Sequence, residues 1–217
     1  CSVMSKSLLG NTIDIHMGGI EHVAVHHTNE IAQSEAANGV KFVNYWLHNE
    51  HLNVDNAKMA KSLGTGFTLS EIKEKGFNPI DLRYFFLQAH YRSKQNFTWE
   101  ALQAACEGYK RLKEQIISLN KNAVIPQVPS VISQPPSVIP ALSVIPAKAG
   151  IHTKISSFKK QFSDFISNDF QISQTLALVW DILKSELDPI TKLQLVMDFD
   201  KVLGLKLNEV QEEEIPQ

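Results

Sequence analysis

Hydrophobic residues recur at helical spacing over two long stretches of the chain. From residue 99 to 119 and again from 172 to 187, apolar side chains follow one another three or four positions apart. This spacing predicts amphipathic helices that face a core. Asp188-Pro189 then offers an N-cap and a first-turn proline for a further helix, which Gly204 can end. The second half of the chain is therefore predicted to be all-α.

The first part of the chain mixes strand and helix patterns. Residues 12–15 and 51–54 have strand character, whereas residues 28–38 are rich in good helix formers. Thr68 and Glu71 form a capping box, and Asn78-Pro79 marks the next helix start. We therefore predict an α/β region over residues 1–67, followed by a helical connection over residues 68–120.

A proline-rich segment separates the helical stretches. Six of the nine prolines lie between Pro126 and Pro146, and no charged residue occurs from Ala123 to Ala147. A Val-Ile unit recurs there at a period too short for a packed repeat protein. Prolines at this density forbid a helix and interrupt strand ladders. We predict that residues 121–156 are a disordered insertion, similar to a translated DNA repeat, and that residues 157–217 form a helical bundle.

Composition excludes several classes of protein. The 21 basic and 23 acidic residues nearly cancel, so any surface that binds a polyanion must be local. Two cysteines form no disulfide framework, and Cys106 on an apolar helical face is more typical of a buried thiol than of a ligand. No apolar run is long enough to span a bilayer, and no signal peptide is visible. We therefore expect a cytoplasmic protein with no membrane segment.

Two short motifs carry candidate chemistry. Lys58 and Lys61 are three residues apart in a loop that Gly64 makes mobile, and such cations can neutralise charge on a breaking phosphate ester. His26 and Glu30 are spaced i,i+4 on the predicted helix and suit a zinc ion, for which Cys1 could supply a thiolate. Each pair is more often an ordinary solvated helix or loop surface, so the spacing alone leaves both interpretations open.

The order of these motifs resembles the central part of cysteinyl-tRNA synthetases, which are class I aminoacyl-tRNA synthetases. The likeness covers residues 1–118 closely and resumes more loosely from residue 158. The stretches that carry it are Cys1-Ser-Val-Met4, Asp14-Ile-His-Met-Gly-Gly19, His26-His-Thr-Asn-Glu-Ile-Ala-Gln-Ser34, Tyr45-Trp-Leu-His-Asn49, Lys58-Met-Ala-Lys-Ser-Leu-Gly64, Leu82-Arg-Tyr-Phe85 and Ala89-His-Tyr-Arg-Ser93.

The resemblance implies a role for each matching residue. Cys1, His26 and Glu30 match three of the family's four zinc ligands, and His16 matches a histidine near the substrate cysteine. The nucleotide site is implied at Gly18 and Gly19, and at the catalytic lysines Lys58 and Lys61, which act on ATP and its Mg²⁺. The implied fold over residues 1–67 is the second half of a Rossmann-like domain. The implied partners are tRNA(Cys), L-cysteine and ATP, with Zn²⁺ as cofactor and a monomeric parent enzyme.

Some positions depart from the family pattern. Ala60 replaces the usual serine of the lysine loop, and Met17, Val25 and Thr28 replace a glycine, a proline and a glutamate. The family's His-x-Gly-His signature and first zinc-binding cysteine do not occur in these residues, so we expect a piece of a longer ligase that is inactive alone. Two alternatives stay open: a non-enzymatic remnant of a disrupted gene, and a related ligase that joins cysteine to an amino sugar.

Overall fold

The computed structural model describes residues 1–58, 66–122 and 146–210 of the chain. These residues divide into two compact units. The first unit comprises residues 1–75 and 89–102, and the second comprises residues 76–88 and 103–217. The connection predicted over residues 68–120 is therefore divided between the two units. No helix among the described residues is both long and apolar enough to cross a membrane.

Two parallel strands and two helices form the part of the first unit that holds the candidate residues. The elements are α1 (Ser2–Leu9), β1 (Ile13–Gly19), α2 (Thr28–Asn38) and β2 (Val43–Asn49). β1 pairs with β2 in parallel, with Ile13 opposite Val43 and Gly19 opposite Asn49. The predicted strand at residues 12–15 and helix at residues 28–38 are confirmed. α1 and β2 were not predicted from the sequence.

A second small sheet follows in the same unit. β3 (Leu52–Val54) pairs antiparallel with β4 (Ala57–Lys58) and parallel with β5 (Gln95–Phe97). Helix α3 (Leu69–Glu74) starts at the predicted capping box, in which Thr68 and Glu71 each accept a bond from the other's backbone N–H. The strand character predicted for residues 51–54 and the start of this helix are therefore confirmed.

Cover of the β1–β2 sheet differs along its strands. Ile13, Phe42 and Val43 are buried, and Ile31 of α2 and Trp46 of β2 pack against them. Ile15, Met17 and Tyr45 remain 55%, 64% and 70% exposed. Parallel sheets in α/β proteins are normally covered on both faces. The exposed apolar residues are therefore a surface on which further protein can pack.

The second unit is helical. It contains α4 (Pro79–Leu87), most of α5 (Trp99–Asn122), α6 (Pro146–Ser167), α7 (Ile172–Lys184) and α8 (Pro189–Leu203). α4 and α8 begin at the predicted proline positions, with Asn78 and Asp188 as N-caps whose side chains accept backbone bonds. Leu102, Leu112 and Ile116 of α5 are fully buried, as the helical spacing predicted.

The turn after α8 is held by polar groups of the same unit. Asp200 accepts hydrogen bonds from the backbone N–H groups of Leu205 at 2.7 Å and Leu207 at 2.8 Å. The Tyr109 hydroxyl donates to the Leu205 carbonyl at 2.6 Å, and Arg83 Nε donates to the Leu203 carbonyl at 2.7 Å. Burial, with the nearby carboxylates of Asp200 and Asp81, raises the pKa of Tyr109 to about 12.

Two expectations about the second half need correction. Residues 146–156 belong to helix α6, so the disorder predicted for this part of the insertion is wrong. Proline at the first helical position needs no backbone N–H, so Pro146 starts this helix rather than preventing it. Residues 123–145 lie outside the described residues. Ile190, predicted to face inward, is 42% exposed, because it lies in the first turn of α8 ahead of the buried pair Leu195 and Val196.

Candidate metal and substrate site

The candidate residues gather at the carboxyl ends of β1 and β2, where ligands bind in open α/β sheets. His16, Gly18 and Gly19 lie on β1, and His48 lies near the end of β2. A π-helical turn over Val23–His27 leads from β1 into α2. The Thr28 hydroxyl donates to the Val23 carbonyl at 2.6 Å and so satisfies an acceptor that the widened turn leaves free.

Helix α1 places Cys1 next to the start of α2. The Ser2 hydroxyl lies 3.2 Å from Gln33 Oε1, and Lys6 Nζ lies 2.5 Å from Asn38 Oδ1, so the two helices lie side by side. Cys1 is the N-cap residue of α1 and is exposed. A cysteine at a helix N-terminus is more readily ionised to the thiolate that metals bind.

The Cys1 cluster consists of Cys1, His26 and Glu30. One ligand atom from each residue lies within 4.8 Å of the others, so the structure brings together the three residues that the sequence singled out. Zinc bonds of 2.0–2.3 Å place tetrahedral ligand atoms about 3.3–3.8 Å apart. The three ligand atoms would therefore have to move only slightly closer together to bind a metal ion. A thiolate, an imidazole and a carboxylate are also a donor set that zinc accepts. The residues present therefore fit a zinc ion.

The two carboxylate oxygens of Glu30 face different histidines. Its Oε1 lies 3.7 Å from Nε2 of His26, and its Oε2 lies 2.8 Å from Nε2 of His16. The Glu30 side chain is only 6% exposed. A buried carboxylate needs positive charge or hydrogen-bond donors nearby, and here the histidines supply them.

Aromatic rings enclose the inner side of this group. His27 Nδ1 lies 2.7 Å from His48 Nε2, and the rings of Trp46 and His48 are stacked at 5.9 Å. A cavity of about 330 Å³ adjoins them and is lined by Ile20, Trp46, His48, Glu50 and Arg92. His27, His48 and Trp46 were not predicted as site residues from the sequence. The one available signal was their place within the stretches that carry the resemblance.

The two inner histidines favour the neutral form. Burial, followed by the nearby His16 and His48, lowers the pKa of His27, although Glu30 acts in the opposite direction. Burial, followed by His16 and His22, lowers the pKa of His48. Each imidazole therefore takes up a proton in the unfolded chain at a higher pH than it does in the folded protein.

We expect the metal-free first unit to lose stability as the pH falls below about 6.5, the ordinary pKa of an imidazole in an unfolded chain. Protonation then favours the unfolded chain, whereas stability is fully present above that pH. The urea midpoint, measured with a chelator at pH 7.5 and 5.5, checks this. His48→Gln should reduce the difference between the two midpoints, and His152→Asn, at an exposed position, should leave it unchanged. A midpoint that rose on acidification would contradict the expectation.

The two glycines of β1 have different surroundings, so the need for a residue without Cβ differs between them. A Cβ on Gly18 would lie 2.5 Å from Cε1 and 3.0 Å from Nε2 of His27, so the bare backbone makes room for that ring. A Cβ on Gly19 would meet the flexible end of the Glu21 side chain, which can move away. Gly18 is therefore required by the protein's own packing, in addition to any ligand.

The lysine loop is only partly described. The backbone of Lys58 pairs with Asn53 at the end of β4, so the loop leaves the second sheet at a fixed point. Lys61 lies outside the described residues. The roles expected for both lysines therefore stay predictions.

The region that holds this site also matches known proteins. Residues 1–107 match the family model of the class I tRNA synthetase (C) catalytic domain. A cysteine–tRNA ligase of Chlamydia trachomatis serovar D is 40% identical over 201 residues, which cover 91% of this chain and 38% of that protein. The corresponding ligase of Protochlamydia amoebophila is 34% identical over 227 residues, covering 100% of this chain and 43% of that protein.

A third relative and a solved structure extend this comparison. Cysteine–tRNA ligase 1 of Burkholderia lata is 37% identical and covers 96% of this chain, but 38% of that protein. The LeuRS of a LeuRS–tRNA–LeuAMS complex from Agrobacterium radiobacter K84 superposes with a TM-score of 0.60 at 16% identity. It covers 92% of this chain and 27% of that one, and shows a shared fold alone. The chain spans about two fifths of the length of the curated relatives it matches.

Proposed function

Because the chain belongs to the cysteine–tRNA ligase family of class I tRNA synthetases, we propose that it forms the amino-acid-selecting and ATP-binding part of an enzyme that charges tRNA(Cys). In that reaction the carboxylate of cysteine attacks the α-phosphate of ATP, which releases pyrophosphate and gives cysteinyl-adenylate. The terminal ribose of the tRNA then takes the cysteinyl group and releases AMP.

The observation that carries this proposal is the convergence of Cys1, His26 and Glu30 at the carboxyl ends of the strands. These residues would hold a zinc ion. Zinc bound there would favour the thiolate of cysteine over the hydroxyl of serine, a distinction that pocket shape makes poorly. His16 orients Glu30 from the opposite side, through the 2.8 Å contact with Oε2.

The chain's other residues bind and orient the reactants. The 330 Å³ cavity beside Trp46 and His48 is at the lower end of the size of ligand pockets and suits part of an adenylate. Gly18 and Gly19 end β1 at that edge, where the bare backbone of Gly19 would let a nucleotide approach once the Glu21 side chain moves away. Together with Mg²⁺, Lys58 and Lys61 stabilise the negative charge that moves onto the pyrophosphate.

The protein acts in the cytoplasm, and helices α6, α7 and α8 are a candidate surface for the tRNA.

The exposed apolar residues of the β1–β2 sheet fit the same proposal. Ile15, Met17 and Tyr45 expose apolar surface that a class I catalytic domain would bury under further strands or helices. Activity therefore requires the remainder of that domain, whichever polypeptide supplies it. The related amino-sugar ligase is not favoured, because the curated relatives named above are tRNA ligases.

A chimera tests the proposal. Residues 1–217 replace the matching segment of the Chlamydia trachomatis relative, and the product is assayed for cysteine-dependent ATP–pyrophosphate exchange and for charging of tRNA(Cys). We expect both activities, and we expect serine not to support exchange. Cys1→Ala should raise the KM for cysteine much more than the KM for ATP, because Cys1 lies in the proposed amino-acid site.

The unmodified relative, purified in parallel, controls for the assay. A chimera that folds, by circular dichroism and gel filtration, but shows no cysteine-dependent exchange would count against the proposal. Equal rises in both KM values for Cys1→Ala would show that Cys1 only supports the fold.

A further inference from the structure

A second group of possible metal ligands lies on the inner side of Glu30. This His27 cluster consists of His16, His27 and Glu30, and one ligand atom of each lies within 4.8 Å of the other two. The rings of His16 and His27 are 4.7 Å apart between centroids. The cluster does not contain Cys1, and it meets Glu30 at Oε2, whereas His26 faces Oε1.

A permanent positive charge would stabilise this buried group more than neutral histidines do. Glu30 and His27 are each only 5% exposed. The ion pairs that the structure shows for Glu30 are with His16 and His26, which carry charge only when protonated. Two imidazoles and one carboxylate form a ligand set that divalent transition metals accept. A metal ion would supply the missing charge without protonating a histidine.

The surroundings orient these ligands in the way that metal sites require. His27 Nδ1 lies 2.7 Å from His48 Nε2, so one ring nitrogen of His27 has a fixed partner. The ring of His16 lies edge-on to Trp46 at 4.9 Å, and the ring of His27 lies 4.8 Å from the same Trp46. A partner for the second ring nitrogen and an apolar wall both fix the orientation of a ligating histidine.

From this geometry we propose that His16, His27 and Glu30 bind a divalent transition metal, with zinc or cobalt as the fitting ions, independently of Cys1. The two oxygens of Glu30 would serve the two clusters separately, and carboxylates bridge paired metal ions in this way at about 3.5–4 Å separation. The inference does not depend on the proposed ligase activity, although it shares Glu30 and His16 with it. The protein therefore has an inner metal site in addition to the one that contains Cys1.

Cobalt binding to the purified 217-residue chain, stripped of metal by a chelator, tests this. All variants carry Cys106→Ser, so that a thiolate–cobalt absorption band reports Cys1 alone. In the double variant Cys1→Ser, His26→Asn, equilibrium dialysis should still find one equivalent of cobalt, without the thiolate band. Adding His16→Asn and His27→Gln to that variant should remove this equivalent. The single change His48→Gln should weaken its binding about 10–100-fold, as loss of an outer hydrogen-bond partner does at other sites.

Two controls make each outcome decisive. His152→Asn, at an exposed position of the second unit, should leave cobalt binding unchanged. The reciprocal variant, His16→Asn with His27→Gln and Cys1 intact, should keep the thiolate band, which tests the Cys1 cluster separately. Loss of all cobalt in Cys1→Ser, His26→Asn with native circular dichroism would overturn the inner site. Binding in that variant that persists without His16 and His27 would overturn it too.

Discussion

Asp200→Ala is expected to lower the free energy of unfolding of the second unit by about 2–4 kcal/mol. Asp200 lies in the last turn of α8 and is 7% exposed. Its two carboxylate oxygens accept separate hydrogen bonds, from the backbone N–H groups of Leu205 and Leu207. Alanine removes both acceptors at once and provides no replacement.

The physical reason lies in the burial of the two donors. Leu205 and Leu207 are fully buried, so water cannot reach the N–H groups that lose their partner. Each unsatisfied buried donor costs about 1–3 kcal/mol. The same turn positions the Leu205 carbonyl, to which Tyr109 donates, and the left-handed Gly204 that ends α8. Loss of Asp200 therefore loosens the junction between α5 and the end of α8.

Urea unfolding followed by the fluorescence of Trp180 measures this effect. Trp180 lies in α7, and Trp46→Phe with Trp99→Phe in every variant removes the signals of the first unit. Asp198→Ala is the matched control, because Asp198 is 44% exposed and pairs with Lys201 and Lys159 at the surface. It should cost no more than about 0.5 kcal/mol. Asp200→Asn keeps one acceptor and should fall between the two.

Equal costs for Asp198→Ala and Asp200→Ala would contradict this account. Such a result would mean that the two N–H groups find other acceptors once the carboxylate is gone.

Asp198 and Asp200 also show where sequence reasoning reaches its limit. Both flank Phe199 and both lie in one helix, so composition and spacing give no reason to prefer either. Their difference arises only when the chain after Gly204 turns back and presents its N–H groups to Asp200. By contrast, the caps at Thr68, Asn78 and Asp188 were predictable, because each depends on residues within three positions.

Local sequence patterns also account for the predicted parts of the site, whereas the missed parts depend on contacts between distant residues. Helix α2 and its i,i+4 pair His26 and Glu30 follow from local pattern. β2 was missed because its apolar and polar residues do not alternate, and its partner β1 lies far away in sequence. The contact between His27 and His48 depends on that pairing, so no local signal could show it. The convergence of Cys1 depends likewise on how α1 lies beside α2.

Lys61→Ala, introduced into the Chlamydia trachomatis chimera, is expected to slow cysteinyl-adenylate formation by about 100–1000-fold. The charge that Lys61 would stabilise develops on the pyrophosphate only as the bond to the α-phosphate breaks. An interaction made in the transition state changes kcat, whereas one made equally to bound ATP changes only KM. The KM for cysteine should change little, because the proposed amino-acid site lies around Glu30.

Pyrophosphate exchange at varied ATP and varied cysteine separates these effects. Ala60→Ser is the matched control: it restores the serine usual in the resembling family, adds no charge, and should leave the rate unchanged or slightly higher. Lys58→Ala should have a smaller effect than Lys61→Ala, because its backbone is held in β4 at the start of the loop. A chimera in which Lys61→Ala raised only the KM for ATP at unchanged kcat would show that Lys61 binds the ground state alone.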